Sequence, residues 1–351
     1  MRVCFYHSSV GLLLITICSS NSALYWKEKS TNDKGDGKSV IMTWKPTSYI
    51  VDEAACANHL ELLLPLGRFG TIRHVVWGGD HEQLGAFLVS DEARKAWKKS
   101  FFKDLMDRKW PLTQLNINYR THSDLAEAPN HVIYDGKVNT QYPTLSYPTN
   151  SRSFNSLVTK LPITFSADDK QYKLTTYVNF VNVAHGAEEG QYSKSNVAEV
   201  NCIVELIKRF HVLGMPSSII AVITAYVAQF ECLLDRFRQL QEEDPNGQWD
   251  KINLLTAGRV QAEEYDVVIL SLVKTKGSRG FIGEKSRANV VCTRAKVAMY
   301  YVGSWDFWQS ENKTSFVWLD KILYRIRDTC GKRSLTGRRP AFAVNPIDLK
   351  P

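Results

Sequence analysis

The sequence predicts an α/β protein built from parallel sheets flanked by helices, and three observations carry this expectation. Short apolar runs recur along the chain: Tyr49-Ile50-Val51, Val75-Val76-Trp77, Ile219 to Ile223, Val267 to Leu272 and Met299 to Val302. Runs that are apolar on both faces suit strands covered by helices above and below, whereas strict alternation would mark a sheet with one face in water. The first three runs lead straight into polar residues, namely Asp52-Glu53, Gly78-Gly79-Asp80 and Thr224. Those are C-terminal strand ends, where open α/β sheets bind their ligands. Helical stripes lie between the runs.

The clearest stripe is Val227, Phe230, Leu233, Leu234, Phe237 and Leu240, spaced by three and four and stopped at Pro245-Asn246-Gly247. A second helix starts at Asn196, whose side chain can cap it, with Glu199 three residues on. It carries Val200, Ile203, Val204, Ile207 and Phe210 and ends at Gly214 and Pro216. The Tyr, Pro, Ser and Thr between Gln141 and Asn150 read as a surface loop. After Cys330, the basic residues Lys332, Arg333, Arg338 and Arg339 among Gly, Ser and Pro read as a disordered tail over 331–351. A charged helix with Arg94, Lys95, Lys98, Lys99 and Lys103 gives way to Trp110-Pro111, which sets a domain boundary near residue 110. That basic helix reads as a solvated face. No internal repeat is visible.

The chain has 351 residues, enough for about two domains, and 44% are hydrophobic, which excludes a disordered or fibrous protein. Lys and Arg outnumber Asp and Glu by 44 to 36, a net charge of +8 that mildly favours polyanionic partners and equally serves solubility. The seven cysteines form no C-x-x-C pair and no zinc-like cluster, so they read as reduced thiols of an intracellular protein. At the N-terminus two readings compete. Arg2, the apolar stretch Val10 to Cys18 and Ser20 to Ala23 fit a secretory signal, while Leu12 to Thr16 followed by Ser19-Ser20-Asn21-Ser22-Ala23 fits a buried parallel strand entering a polar loop. The rest of the chain favours the strand. No apolar run is long enough to span a membrane as a helix.

Asp52-Glu53 after a strand can hold magnesium with one carboxylate and activate water with the next, although acidic pairs at strand ends also serve as simple caps. The pair gains meaning from its company. Val51 to Ala55, then Gly79 to Leu84, then Asn118-Tyr119-Arg120 resemble motifs II, III and IV of the superfamily 1 nucleic-acid helicases, in the nonsense-decay and senataxin-like branch. Val222 to Gln229 resembles the segment before motif V, Thr256 to Ser271 resembles motif V, and Arg287 to Lys296 resembles motif VI. Several motifs in one order are far more specific than any one of them. Ser19 to Ala23 is similar to motif Ia.

The resemblance, over roughly residues 45 to 305, implies two RecA-like domains of the P-loop NTPase class. Domain one, residues 1–110, would be incomplete at its front, and domain two would span 111–330. It further implies ATP and Mg²⁺ as cofactors and single-stranded RNA or DNA as partner. Asp52 would hold the metal through waters, Glu53 would act as general base, and Gln83 would sense the γ-phosphate. Arg120 and Arg294 would act as arginine fingers, with a salt-bridged arginine and a helix-surface arginine as the plain alternatives. Asp80, Gln261 and Glu264 would contact the nucleotide or couple it to the strand, and Ser20, Asn21 and Thr224 would meet nucleic acid.

Two departures stand out. Gly258 replaces the family's usual Asp in motif V, and Ala262 replaces a Gly, where a Cβ could obstruct a tight turn. The larger one is the phosphate loop. Gly37-Lys38-Ser39 has Asn32 where the first Gly belongs and follows the motif Ia-like segment instead of preceding it. It reads as a chance match in a loop. The sequence therefore reads as a helicase or translocase core lacking its phosphate loop. The alternatives are a non-hydrolysing binding module and, from the N-terminus alone, a secreted protein of unrelated function.

Overall fold

The apolar runs at 49–51 and 75–77 become neighbouring parallel strands, β1 (Ser48–Val51) and β2 (His74–Trp77), in the computed structural model. That model describes residues 46–86, 88, 90–96, 100–141, 164–167, 170–173, 177–183, 185–261, 263–309, 317–335 and 344–346, plus the short strands Tyr6–His7, Leu12–Leu13, Lys27–Glu28 and Val40–Ile41. Contacts divide the chain into two units, Met1–Thr113 and Gln114–Pro351.

In unit one, β1 leads into a short turn of helix and then α1 (His59–Arg68), which begins with a full capping box. Asn58 accepts from the Glu61 amide at 3.0 Å, and Glu61 accepts from the Asn58 amide at 2.8 Å. After β2 come α2 (Asp91–Ala96) and α3 (Phe101–Asp107), two separate helices in place of the single basic helix expected. A small core of Val51, Ala54, Ala57 and Leu62 packs with Tyr49, Trp77, Phe101 and Phe102. Burial on both strand faces is not met here: Ile50 is 71% exposed and Val76 56%. Near the N-terminus, Leu12–Leu13 pairs antiparallel with Tyr6–His7, so the described part of that stretch is not the parallel strand expected. Ser20, Asn21 and Gly37-Lys38-Ser39 lie outside the described residues.

Unit two opens with β3 (Ile117–Asn118), α4 (Ser123–Ile133) and β4 (Asn139–Thr140). A hairpin, Thr164–Ala167 with Lys170–Lys173, precedes β5 (Val178–Asn182). Then follow α5 (Val197–Val212), β6 (Ile220–Thr224), α6 (Val227–Glu243), β7 (Asn253–Thr256) and β8 (Tyr265–Ser271). The chain continues through α7 (Lys285–Cys292), β9 (Ala295–Gly303), α8 (Trp305–Gln309), α9 (Trp318–Leu335) and β10 (Val344–Pro346). The six-stranded sheet has the order β7-β6-β8-β9-β5-β10, parallel throughout. Every residue of β6 is buried, as a doubly covered parallel strand requires.

The segment read as a disordered tail carries regular structure in part. Residues 331–335 complete α9, and Val344–Pro346 adds an edge strand beside β5. The larger core lies on one side of the sheet, where Ile203, Ile207 and Phe210 of α5 and Leu233 of α6 meet Val222, Val267, Ile269 and Tyr300. Phe210 is fully buried with its ring centroid 5.1 Å from that of Tyr300. Phe210→Ala is therefore expected to destabilise the protein by about 3–5 kcal/mol, the cost of lost burial plus a cavity, read as a shift in the denaturant midpoint at unchanged slope.

Candidate functional site

In unit one the parallel pairing of β1 with β2 brings two loops side by side. The Gly78 amide donates to the Val51 carbonyl and the Ala54 amide to the Gly78 carbonyl, each at 2.8 Å. At Gly79 a Cβ would stand 3.0 Å from the Ala55 amide nitrogen and 3.2 Å from that of Ala54, a tight approach that favours glycine at this crossing. Asp52 is exposed and takes the Glu53 amide on Oδ1 at 2.9 Å. Glu53 sits in the left-handed region at φ 53°, a conformation uncommon outside glycine and frequent at working sites. In the second loop Asp80 accepts the Glu82 amide on Oδ1 and the Gln83 side-chain amide on Oδ2, both at 2.9 Å. Asp80 thus fixes where the Gln83 amide points. The Cys56 thiol ties the loops together through the Leu84 carbonyl at 3.1 Å.

In unit two, Arg120 and Arg294 meet at the end of the sheet where β8 and β9 begin. Asn118 organises the approach, its Oδ1 accepting from the amides of Arg120 at 2.9 Å and Thr121 at 3.3 Å. Next, the His122 amide docks on the Lys296 carbonyl at 3.2 Å. The Arg120 guanidinium pairs with Glu264, and both side chains are more than a third exposed. Arg294 is only 2% exposed: its Nε donates to the Val290 carbonyl at 2.9 Å, where α7 ends, and Nη1 to the Glu263 carbonyl at 3.3 Å. The expected arginine pair thus consists of one partly exposed guanidinium and one built into the fold. Gln261 is half-buried in the turn between β7 and β8; Ala262 lies outside the described residues. A Cβ at Gly258 would meet nothing within 4 Å, so nothing in this backbone calls for glycine there.

Thr224 lies at the opposite, C-terminal edge of the same sheet, in register with Ser271. It is fully buried, with its hydroxyl accepting the Tyr226 amide at 3.4 Å. It therefore shapes the strand end, with its hydroxyl out of reach of solvent. Contrary to what the polar strand ends suggested, the ligand-facing candidates do not all share the C-terminal edge, because Arg120, Glu264 and Arg294 sit at the other one.

Beside Thr224 is a buried polar network that the sequence pattern did not single out. Gln229 donates to the Ser271 hydroxyl at 3.0 Å and accepts the Asn196 amide at 2.7 Å. Asn196 caps α5 as expected, its Oδ1 accepting the Glu199 amide, and the Glu199 Oε1 accepts from the Asn196 side-chain amide, each at 3.3 Å, while the Asn196 backbone amide goes to Gln229. Glu199 Oε2 accepts from the Ser271 hydroxyl at 2.7 Å and from the Val273 amide at 3.0 Å. Val273 is fully buried at φ 63°, a costly position for a β-branched residue that only over-determined surroundings sustain. The signal available in the sequence was the count of polar residues inside otherwise apolar elements: Glu199, Gln229 and Ser271 each sit on a core-facing position. Among the described residues no group of three or more His, Cys, Asp and Glu is arranged to hold a metal, and no helix is long and apolar enough to cross a membrane.

Residues 97–306 match the model of the AAA domain family. The chain belongs to that family. The matched span holds Arg120, Thr224, Gln261, Glu264 and Arg294, and it begins after the acidic loops of unit one. Among curated relatives, the chain is 24% identical over 273 residues to the regulator of nonsense transcripts 1 homolog of Neurospora crassa, covering 77% of this chain and 24% of that protein. It is 27% identical over 272 residues to an uncharacterized ATP-dependent helicase of Methanocaldococcus jannaschii, covering 76% and 37%. It is 25% identical over 262 residues to the ATP-dependent helicase NAM7 of Saccharomyces cerevisiae, covering 73% and 25%. The chain thus spans between about a quarter and somewhat over a third of these relatives' lengths. The AAA domain here is a parallel-sheet, RecA-like unit similar to that of superfamily 1 helicases, as the ordered motifs implied.

Two measurements follow from the geometry. Burial pushes the Glu199 carboxyl up to about 8, against hydrogen bonds from Ser271, Val273 and Leu272 that pull it down. A carboxyl raised on folding costs nothing while both states are protonated, and stability is lost as pH climbs from the ordinary carboxyl range towards 8. The melting temperature should accordingly fall between pH 5 and 8, and Glu199→Gln should flatten that fall. An equally steep profile in the variant would show that Glu199 is not its source. Separately, Arg294→Ala should cost about 1–3 kcal/mol by removing the hydrogen bonds and the packing of a buried side chain, while Arg120→Ala should cost under about 1 kcal/mol, as exposed ion pairs do. Equal losses in thermal denaturation would contradict that division.

Proposed function

We propose that this chain is part of the motor core of an ATP-dependent nucleic-acid helicase, acting on single-stranded RNA or DNA. The observation that carries this reading is the division of labour among its loops. Unit one presents an acidic pair beside an amide held by a second acid, Asp52-Glu53 with Asp80 and Gln83. Unit two presents the Arg120 guanidinium at one sheet edge and the Thr224 strand end at the other. Magnesium and the attacking water fit the first set, since an exposed carboxylate can hold a hydrated cation and its neighbour can accept a proton. Arg120 suits a phosphate oxygen better than Arg294 does, because it can exchange an exposed carboxylate partner. Strand β8 joins the two edges and offers a rigid link between nucleotide and strand.

The phosphate cradle is a different matter. The sequence contains no G-x-x-x-x-G-K-[ST], so these residues supply neither the ring of backbone amides nor the lysine that ATP phosphates need. No hydrolytic step is assigned to the chain by itself. The same observation favours a second reading, a non-hydrolysing module that binds nucleic acid, for which Arg120 and Glu53 would be vestigial.

The purified 351-residue chain should hydrolyse ATP at background, since losing charge stabilisation of that kind costs a hundredfold or more in rate. It should still bind single strands, with affinity falling as salt rises. Turnover of the chain and its Glu53→Gln variant, measured alongside strand binding at two salt concentrations, tests both points. Robust turnover abolished by Glu53→Gln would refute the first expectation, and salt-indifferent binding would remove the nucleic-acid reading.

A further inference from the structure

Thr224 is buried, so if the single strand of the proposed function lies along the C-terminal edge of unit two, its contacts fall to residues that project beyond that edge. Immediately after β8 the chain does this. Lys276, Gly277 and Ser278 are all exposed, while Val273 and Lys274 before them and Arg279 after them are buried. Each shoulder of this tip carries a buried ion pair. On the near side the Lys274 ammonium pairs with Glu188, with both side chains at most 10% exposed, and Glu188 Oε2 also accepts the amides of Thr275 at 2.8 Å and Lys276 at 3.4 Å. On the far side Arg279 Nε donates to both oxygens of Asp320, at 2.9 and 3.0 Å, with the guanidinium 4.1 Å over the Phe307 ring.

Two further features fix the tip's base. Val273 enters it in the strained left-handed conformation that Glu199 and Asn196 hold through its amide and carbonyl. At the exit, Gly280 (φ 68°) passes so close to Tyr226 that a Cβ there would stand 2.2 Å from the phenol oxygen, and Tyr226 lies two residues beyond Thr224. Gly277, at φ 68°, makes the turn itself. Three exposed residues held by two buried ion pairs and a strained valine form a pre-ordered point that loses little entropy on binding. What the tip offers is an ammonium, a hydroxyl and a backbone without a side chain to obstruct close approach. That chemistry fits a phosphodiester and reads no base.

We propose that the Lys276-Gly277-Ser278 tip contacts the phosphate backbone of a single strand, and that Glu188 is a positioning residue that holds it there. This rests on the nucleic-acid reading above. Neutralising one phosphate of a single strand contributes about 0.7 to the slope of log affinity against log salt. The test is fluorescence anisotropy of a labelled oligonucleotide on the full chain between about 50 and 200 mM salt. Lys276→Gln should lower the slope by about 0.7 and weaken binding several-fold. Lys208→Gln, which removes another exposed charge, paired with Glu205 on α5, should leave the slope unchanged.

Glu188→Gln separates clamping from charge. Removing an acid should tighten binding to a polyanion by charge counting alone, whereas a loosened tip should weaken it. Weaker binding by a variant that still melts cooperatively supports the proposal, and tighter binding overturns the clamp. If that variant fails to fold, Lys276→Gln, a surface change, decides by itself. Salt-dependent binding with an unaltered slope in Lys276→Gln overturns the tip while leaving the function standing. Absence of salt-dependent binding by the unmodified chain overturns both.

Discussion

The second unit depends on one carboxyl. Glu199 comes from the first turn of α5, is wholly buried, and takes hydrogen bonds from Ser271 and Val273 at the end of β8, while Gln229 of α6 closes the ring from the other side. An unpartnered carboxyl at that depth would be severely destabilising, so the two helices and the central strand are confined to the arrangement that satisfies it. The same network sustains Val273 in a conformation it would otherwise leave. Apolar packing around Phe210 supplies most of the cohesion, yet it would tolerate small slips between helix and sheet. The polar ring would not.

Much of this was legible in the sequence because the signals were physical and local. Doubly apolar runs gave β6, β8 and β9, and the caps at Asn196 and Pro245 bounded α5 and α6. β5, β7 and β10 carry no strong pattern, since Asn179 and Asn182 interrupt the apolar residues of β5, β7 is only half-buried and β10 has three residues. In unit one the opposite holds, since Ile50 and Val76 look like core and stand exposed. A motif position carries a residue's chemistry and leaves its burial open. Thr224 and Arg294 occupy motif positions, and nothing in a motif distinguishes a residue that meets a ligand from one that shapes the loop doing so. Which of the two a residue does depends on burial, a long-range property.

Placing Arg120 at the start of β8 and the projecting tip at its end gives that strand a particular position. It is the middle of the sheet, hydrogen-bonded along both edges to β6 and β9, and its residues from Val267 to Ser271 are completely buried. A change at one end cannot be absorbed by bending, because close-packed interiors move as rigid pieces. Displacement of the Glu264 end would carry the Val273 end with it. Here the sheet is a mechanical part as much as a scaffold.

The strand order has a last consequence, for the making of the protein rather than its working. β6, β7 and β8 are adjacent in sequence and in space and can pair as they leave the ribosome. β5 comes earlier but pairs only with β9 and β10, with Val178 waiting for Met299 and Phe180 for Val344. At translation speeds that wait is on the order of ten seconds. Throughout it a strand whose Phe180 and Val181 end fully buried has no neighbour on either edge, the condition in which strands pair with other chains. Nascent chains stalled before residue 295 would carry that edge bare, at the stage where pairing between chains competes with folding.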